Sequence, residues 1–153
     1  MNWWLTILTF LPLVGVLAIL FIKESEDGSS RDTIKMFAIV TSAATFAMSL
    51  FVLFLFDPTN PTLQLVDRVD WIPSWGISYF MGIDGLSILM ILLTTFISLL
   101  AIIGSWTAIE TQLKQYYIFM LLLETGMLGV FLAQDLFLFY VFWEFTLIPM
   151  YFL

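Results

Sequence analysis

Neither cysteine nor histidine occurs anywhere in the 153 residues. The first absence excludes disulfides and thiolate-held metals or clusters. The second removes the commonest metal ligand and the side chain that titrates near neutral pH. Charge is scarce as well: 11% of the residues are charged, against about 25% in an ordinary soluble domain. Only five residues are basic and the net charge is −7, which leaves no footprint for a nucleic-acid partner. Any proton chemistry therefore falls to carboxylates, lysines and water.

What is abundant is apolar. Hydrophobic residues make up 61% of the chain, against roughly 45–50% in soluble proteins, so the lipid bilayer must be the solvent. About 20 apolar residues cross a bilayer. Five stretches qualify, at 3–22, 36–56, 86–106, 116–133 and 136–153. The fold expected over residues 1–153 is thus an all-α transmembrane domain of about five spans. The first stretch has no Lys or Arg ahead of its apolar run, and its first positive charge, Lys23, follows it; this is the layout of a retained helix rather than a cleaved signal. Lys23–Lys35, with Gly28, Ser29 and Ser30, reads as a short solvated loop. The longer 57–82 segment opens on the turn signal Asp57-Pro58-Thr59-Asn60-Pro61. Its Trp71, Trp75 and Tyr79 read as interfacial anchors, and the alternation of Ile77, Tyr79 and Met81 suits a short strand or hairpin.

Alternating the loops across the membrane puts Lys23, Arg31, Lys35 and Lys114 on one side and Arg68 on the other. The positive-inside rule then places the N-terminus and the 57–82 loop outside. Trp3 and Trp4 fall at the outer interface, and Trp106, Tyr116 and Tyr117 at the inner one. The fifth stretch is still apolar at Tyr151-Phe152-Leu153, without cap or basic anchor, so the expectation is the front part of a longer chain.

Ionisable groups inside hydrocarbon are costly, by roughly 2.5–3.5 kcal/mol on the insertion scale. Most acids here avoid that cost. Asp57, Asp67 and Asp70 fall in the outer loop, and Glu24, Glu26, Asp27, Asp32 and Glu110 in or near inner loops, all read as solvated. Asp84 and Asp135 stand just before apolar runs, where an aspartate caps the first helical turn. Two glutamates remain. Glu144 is nine residues beyond Asp135, hence roughly 13 Å deep and close to the midplane. Glu124 is similarly central in the fourth stretch, and its carboxyl is a further candidate for the proton path. Pro149 lacks an N–H, so the Phe145 carbonyl loses its helical donor. Tyr140, one turn before Glu144, offers a hydroxyl on the same face. Glu144 is therefore a candidate proton carrier; the plainer alternative is a protonated acid that hydrogen-bonds between helices. Ser87, Thr94, Ser98 and Ser105 form a hydroxyl stripe on the third stretch, able to line a hydrated path or to serve close packing. Gly126, Gly129 and Ala133 make a similar small face on the fourth. No Lys or Arg falls within any span, so a cation for Glu144 must come from elsewhere.

The run Phe139-Tyr140-Val141-Phe142-Trp143-Glu144-Phe145-Thr146-Leu147-Ile148-Pro149-Met150-Tyr151 closely resembles the fifth helix of one family. That family is subunit M, mitochondrial chain 4, of the proton-pumping NADH:quinone oxidoreductase (complex I). Ile83-Asp84-Gly85-Leu86-Ser87, Gly129-Val130-Phe131-Leu132-Ala133-Gln134-Asp135 and Trp71-Ile72-Pro73 match as well. The resemblance implies the N-terminal part of an antiporter-like subunit of about fourteen helices, located in a bacterial inner membrane. It implies other membrane-arm subunits as partners, and no cofactor in this chain: flavin, iron–sulfur clusters and quinone are expected in partner subunits. It marks Glu144 as the proton-channel carboxylate, paired with a lysine on a later helix. Some members carry a further glutamate where this chain has Ala108, and that role does not transfer; members also differ at Glu124. Beside proton translocation stand two other readings: a subunit of a multisubunit sodium–proton antiporter, and a structural membrane piece with no transport of its own.

Overall fold

The computed structural model describes residues 3–23, 29–108 and 112–153. Glu24, Glu26, Asp27, Gly28 and Glu110, expected in inner loops, lie outside the described residues. Five helices and one β-hairpin account for the fold: α1 (Trp4–Leu20), α2 (Ser29–Leu55), β1 (Gln64–Ile72), β2 (Ile77–Ile83), α3 (Gly85–Gly104), α4 (Leu113–Leu132) and α5 (Leu136–Phe152). Three stretches, Ser30–Leu55, Gly85–Gly104 and Leu113–Leu132, are long and apolar enough to cross a membrane; α1 and α5 are shorter apolar helices. At 1.5 Å per residue the 20-residue α3 and α4 reach about 30 Å, the thickness of a hydrocarbon core. The outward surface is apolar, with Val14, Phe54 and Leu89 all more than half exposed.

The start of α2 differs from the sequence expectation. The helix begins at Ser29, so Ser29–Lys35 is helical rather than loop. Burial of Ile34 and Lys35 explains it, because both pack in the first turns of α2. The Lys35 ammonium lies 5.0 Å from the centroid of the Trp106 ring, a cation–π contact that covers its charge while the stem is buried. Sequence reading gave those turns to solvent because of their polar residues.

α4 is the hub. It packs against α1, α2, α3 and α5, whereas α5 rests on α4 and on β2. The two strands pair antiparallel, with Val69 opposite Tyr79 and Arg68 opposite Phe80, around a short 3-10 turn at Pro73–Trp75 whose Gly76 takes a positive φ of 68°. The hairpin covers one end of the bundle, where α1, α3 and α5 begin. At the opposite end Lys114 donates to the carbonyls of Leu20 and Ile22 (3.2 and 2.7 Å), satisfying the C-terminal carbonyls of α1.

Candidate functional site

The helix that carries Glu144 starts from a built cap. Asp135 Oδ1 accepts the N–H groups of Phe137 and Leu138 at 2.9 and 3.2 Å, and its Oδ2 accepts the Ser78 N–H of β2 at 3.1 Å. One carboxylate thus caps α5 and ties it to the hairpin. The Gln134 N–H reinforces the tie by donating to the Phe80 carbonyl at 2.8 Å. Partial burial pushes the Asp135 carboxyl up, but the N–H groups of Ser78, Leu138 and Phe137 together hold it below its ordinary 3.8. A depressed carboxylate stabilises the fold above its unfolded value, and that contribution is lost as pH falls through the folded value. The cap is therefore complete at neutral pH and opens only in acid below 3.8. Asp135→Ala is expected to weaken the α5 start by about 1 kcal/mol at neutral pH, read as faster hydrogen exchange at Phe137 and Leu138. Asp135→Asn should remove the acid dependence of that exchange.

Glycine sets how closely α5 approaches α4. A Cβ at Gly126 would meet the Thr146 side chain, and one at Gly129 would enter the Phe142 ring. The small face of α4 is a packing face, as its spacing suggested. Leu138, Phe142 and Pro149 are the buried residues of α5 and define its inward side. Phe119 and Phe152 stack at 5.0 Å between centroids and hold the other end of the pair together.

Glu144 lies halfway along α5 and is exposed. Tyr140, one turn away on the same face, is 57% exposed. Leu147, Ile148 and Tyr151 continue that exposed face. Among the described residues neither Glu144 nor Tyr140 has a side-chain hydrogen bond or ion pair. Glu144 and Tyr140 thus point out of the five-helix bundle, away from the side of α5 that packs on α4.

The other sequence candidates lie elsewhere. Glu124 is fully buried inside the bundle, on the α4 face that carries Leu121 and Leu128. Thr94 and Ser98 are also buried, and the Thr94 hydroxyl is spent on the Met90 carbonyl at 2.8 Å. Ser87 is half-buried near the hairpin end, where its N–H donates to the Asp84 cap at 2.8 Å. None of these four converges with Glu144, which sits on the far side of α5.

One residue contradicts its sequence reading. Asp67, expected to be solvated in the outer loop, is fully buried. Its carboxylate accepts the N–H groups of Trp3 and Thr6 at 3.1 Å each and the Thr6 hydroxyl at 2.8 Å, capping α1 from a strand about sixty residues away. Tyr79, read as an interfacial anchor, joins the same network: with the Thr6 proton on Asp67, the Tyr79 hydroxyl donates to the Thr6 oxygen at 2.8 Å and lies 3.1 Å from the Met81 sulfur. Burial pushes the Tyr79 phenol up, which keeps it a neutral donor. Nothing local in the sequence marks Asp67, because the amides it caps belong to another element. Among the described residues no cluster of three acids could hold a metal.

Comparison with known proteins gives the chain its setting. Subunit M of the NADH-quinone oxidoreductase of Rickettsia conorii is 38% identical over 148 residues, or 96% of this chain and 30% of the relative. The Rhodobacter capsulatus subunit M is 42% identical over 147 residues, covering 96% of this chain and 28% of its own length. The chain is homologous to the N-terminal part of subunit M. It spans about 30% of the length of the curated relatives it matches. A chain in the respiratory complex I structure from Thermus thermophilus superposes with a TM-score of 0.73 at 28% identity, covering 95% of this chain and 27% of that one. The Mrp complex of Dietzia sp. superposes as well (TM-score 0.74, 98% of this chain and 15% of that one), and at 21% identity it shows a shared fold alone. No family model matches the sequence. This is a membrane protein of the antiporter-like architecture, homologous to the front of a complex I subunit.

Proposed function

We propose that this subunit M homologue supplies the Glu144 half of a proton-translocating site in the membrane arm of respiratory complex I. Proton movement there is coupled to NADH oxidation and quinone reduction by partner subunits, which hold the redox cofactors. The observation that carries the reading is the placement of Glu144: a carboxyl at the midpoint of a helix, on an exposed face, with no partner among the described residues. A bare carboxylate in hydrocarbon is costly, so it carries a proton or pairs with a cation. The resemblance supplies that cation as a lysine on a later helix. A lysine beside Glu144 would offset the cost of its charge, and withdrawal of that lysine is the step to which proton transfer at this carboxyl would be coupled. The five helices alone, lacking the cation, would transport nothing.

The charge distribution supports an orientation with the hairpin end outside. Lys35 and Lys114 lie at the opposite end, bound to Trp106 and to the α1 carbonyls, and Arg68 stacks on Phe80 within the hairpin. A bacterial plasma membrane is the setting that fits.

Likeness to the Mrp complex keeps the sodium–proton antiporter reading in view, and one experiment separates the two. In everted vesicles containing the complex, NADH oxidation is expected to acidify the lumen with no requirement for sodium. Sodium-driven proton exchange in the absence of NADH would overturn the complex I reading.

A further inference from the structure

The interior of the bundle is not uniformly apolar. At the hairpin end one buried cluster includes Leu8 of α1, Val52 of α2, Ile91 of α3 and Leu128 of α4. At the opposite end a second cluster includes Val16, Ala38, Ile102 and Leu121 of the same four helices. Between these limits the buried side chains change character. Ser42, Thr45 and Ser49 occupy α2, Thr95 and Ser98 occupy α3, and Glu124 occupies α4. Ser42 and Glu124 each stand near the midpoint of their helices, so this polar layer lies halfway through the bundle.

Glu124 faces into the layer. Leu121 and Leu128, one turn to either side of it, belong to the two clusters that α1, α2 and α3 build, and the three residues share a helical face. Gly126 and Gly129 face α5 instead. Glu124 and Glu144 are therefore separated by the packed α4–α5 pair.

Several hydroxyls of the layer are already committed: Thr45 donates to the Thr41 carbonyl at 2.9 Å, Thr95 to the Ile91 carbonyl at 3.1 Å, and Ser49 pairs with Thr95 at 2.9 Å. Both carboxyl oxygens of Glu124 and the Ser42 hydroxyl have no hydrogen-bond partner among the described residues. The Tyr117 hydroxyl, two turns from Glu124 on the same α4 face, has none either. Pro12, buried on α1 between the two clusters, has no N–H and so leaves the Leu8 carbonyl available as an acceptor. α1 and α3 contain no acid or base, and the charged residues of α2 (Arg31, Asp32 and Lys35) lie in its first two turns. A buried polar group demands a partner, and a water with several polar neighbours supplies one.

We propose that Glu124 is the centre of an enclosed, hydrated proton-binding site in the middle of the bundle, separate from Glu144. Its ligands are water and one exchangeable proton. Among the described residues no cation stands in the layer, so the carboxyl keeps that proton, donates its O–H to internal water and accepts from that water, which also meets the Ser42 hydroxyl. The site is sealed from the exposed α5 face by the glycine-mediated contact between α4 and α5.

Infrared spectroscopy of the purified membrane complex that carries the chain tests this. Wild type is expected to show a carboxylic-acid carbonyl band that moves when H2O is replaced by D2O. Glu124→Gln should lose that band, Glu144→Gln should keep it, and Ser42→Ala should keep it at a shifted position. A Glu124→Gln spectrum identical to wild type in the carboxylic-acid region would overturn the proposal. So would a band insensitive to D2O, which would mean a dry acid, or loss of the band in Glu144→Gln, which would merge the two sites. If Glu124→Gln fails to assemble, Ser42→Ala decides, because it retains the acid; an unmoved band there also overturns the proposal.

Discussion

Gly129→Leu is expected to prevent α5 from docking on α4 and to remove the subunit from the assembled complex. The reason is steric. Even a single added Cβ would lie within the Phe142 ring, and both residues belong to packed backbone segments rather than to a flexible tip. Overpacking of this kind costs typically 1–3 kcal/mol for extra methylenes in a closed core; leucine adds three more heavy atoms to a collision already present at the first. Phe142 cannot simply swing aside, since it is buried between α4 and Phe10 of α1, whose ring centroid is 6.3 Å away. Native gel electrophoresis of solubilised membranes should show the complex reduced several-fold. Gly129→Ala should fall between that variant and wild type. A relieving second change, Phe142→Leu, should recover part of the loss, which a general folding defect would not allow.

How far the sequence foretold this architecture depends on the element. Long apolar runs bounded by Asp84 and Asp135 were legible, because a bilayer allows few structures for such runs and aspartate just before them has a specific job. The hairpin was legible from the alternation at Ile77, Tyr79 and Met81. The beginning of α2 was not, since its polar first turns are helical through the burial of Ile34 and Lys35 against other helices. Asp67 was not, because a cap supplied from another element leaves no local spacing to read. The direction in which Glu144 points was also hidden. α5 is apolar on every side, so no period distinguishes its protein-facing stripe from the rest. The contacts of Gly126 with Thr146 and of Gly129 with Phe142, together with the Phe119–Phe152 stack, fix the rotation of α5 and turn Glu144 outward.

That rotation gives Glu144→Gln its expected phenotype. Glutamine matches glutamate in size and still hydrogen-bonds, but it carries neither charge nor a transferable proton. The replaced side chain touches none of the α4–α5 contacts, so assembly should change by no more than about 0.5 kcal/mol, as for other substitutions outside packed features. A positioned proton-transfer group contributes typically 10²–10⁴-fold. Proton movement through this subunit should therefore fall by about 10²-fold or more. Glu144→Asp, which keeps the acid and shortens its reach by one methylene, should retain part of the activity.

The measurement that tests the account most directly is the number of protons moved per electron in everted vesicles of Glu144→Gln, at an NADH oxidation rate matched to wild type. The account predicts a ratio below wild type, with fully assembled complex and with Glu144→Asp in between. A wild-type ratio in Glu144→Gln would contradict it, leaving the carboxyl on α5 as an interhelix hydrogen-bonding group rather than a proton carrier.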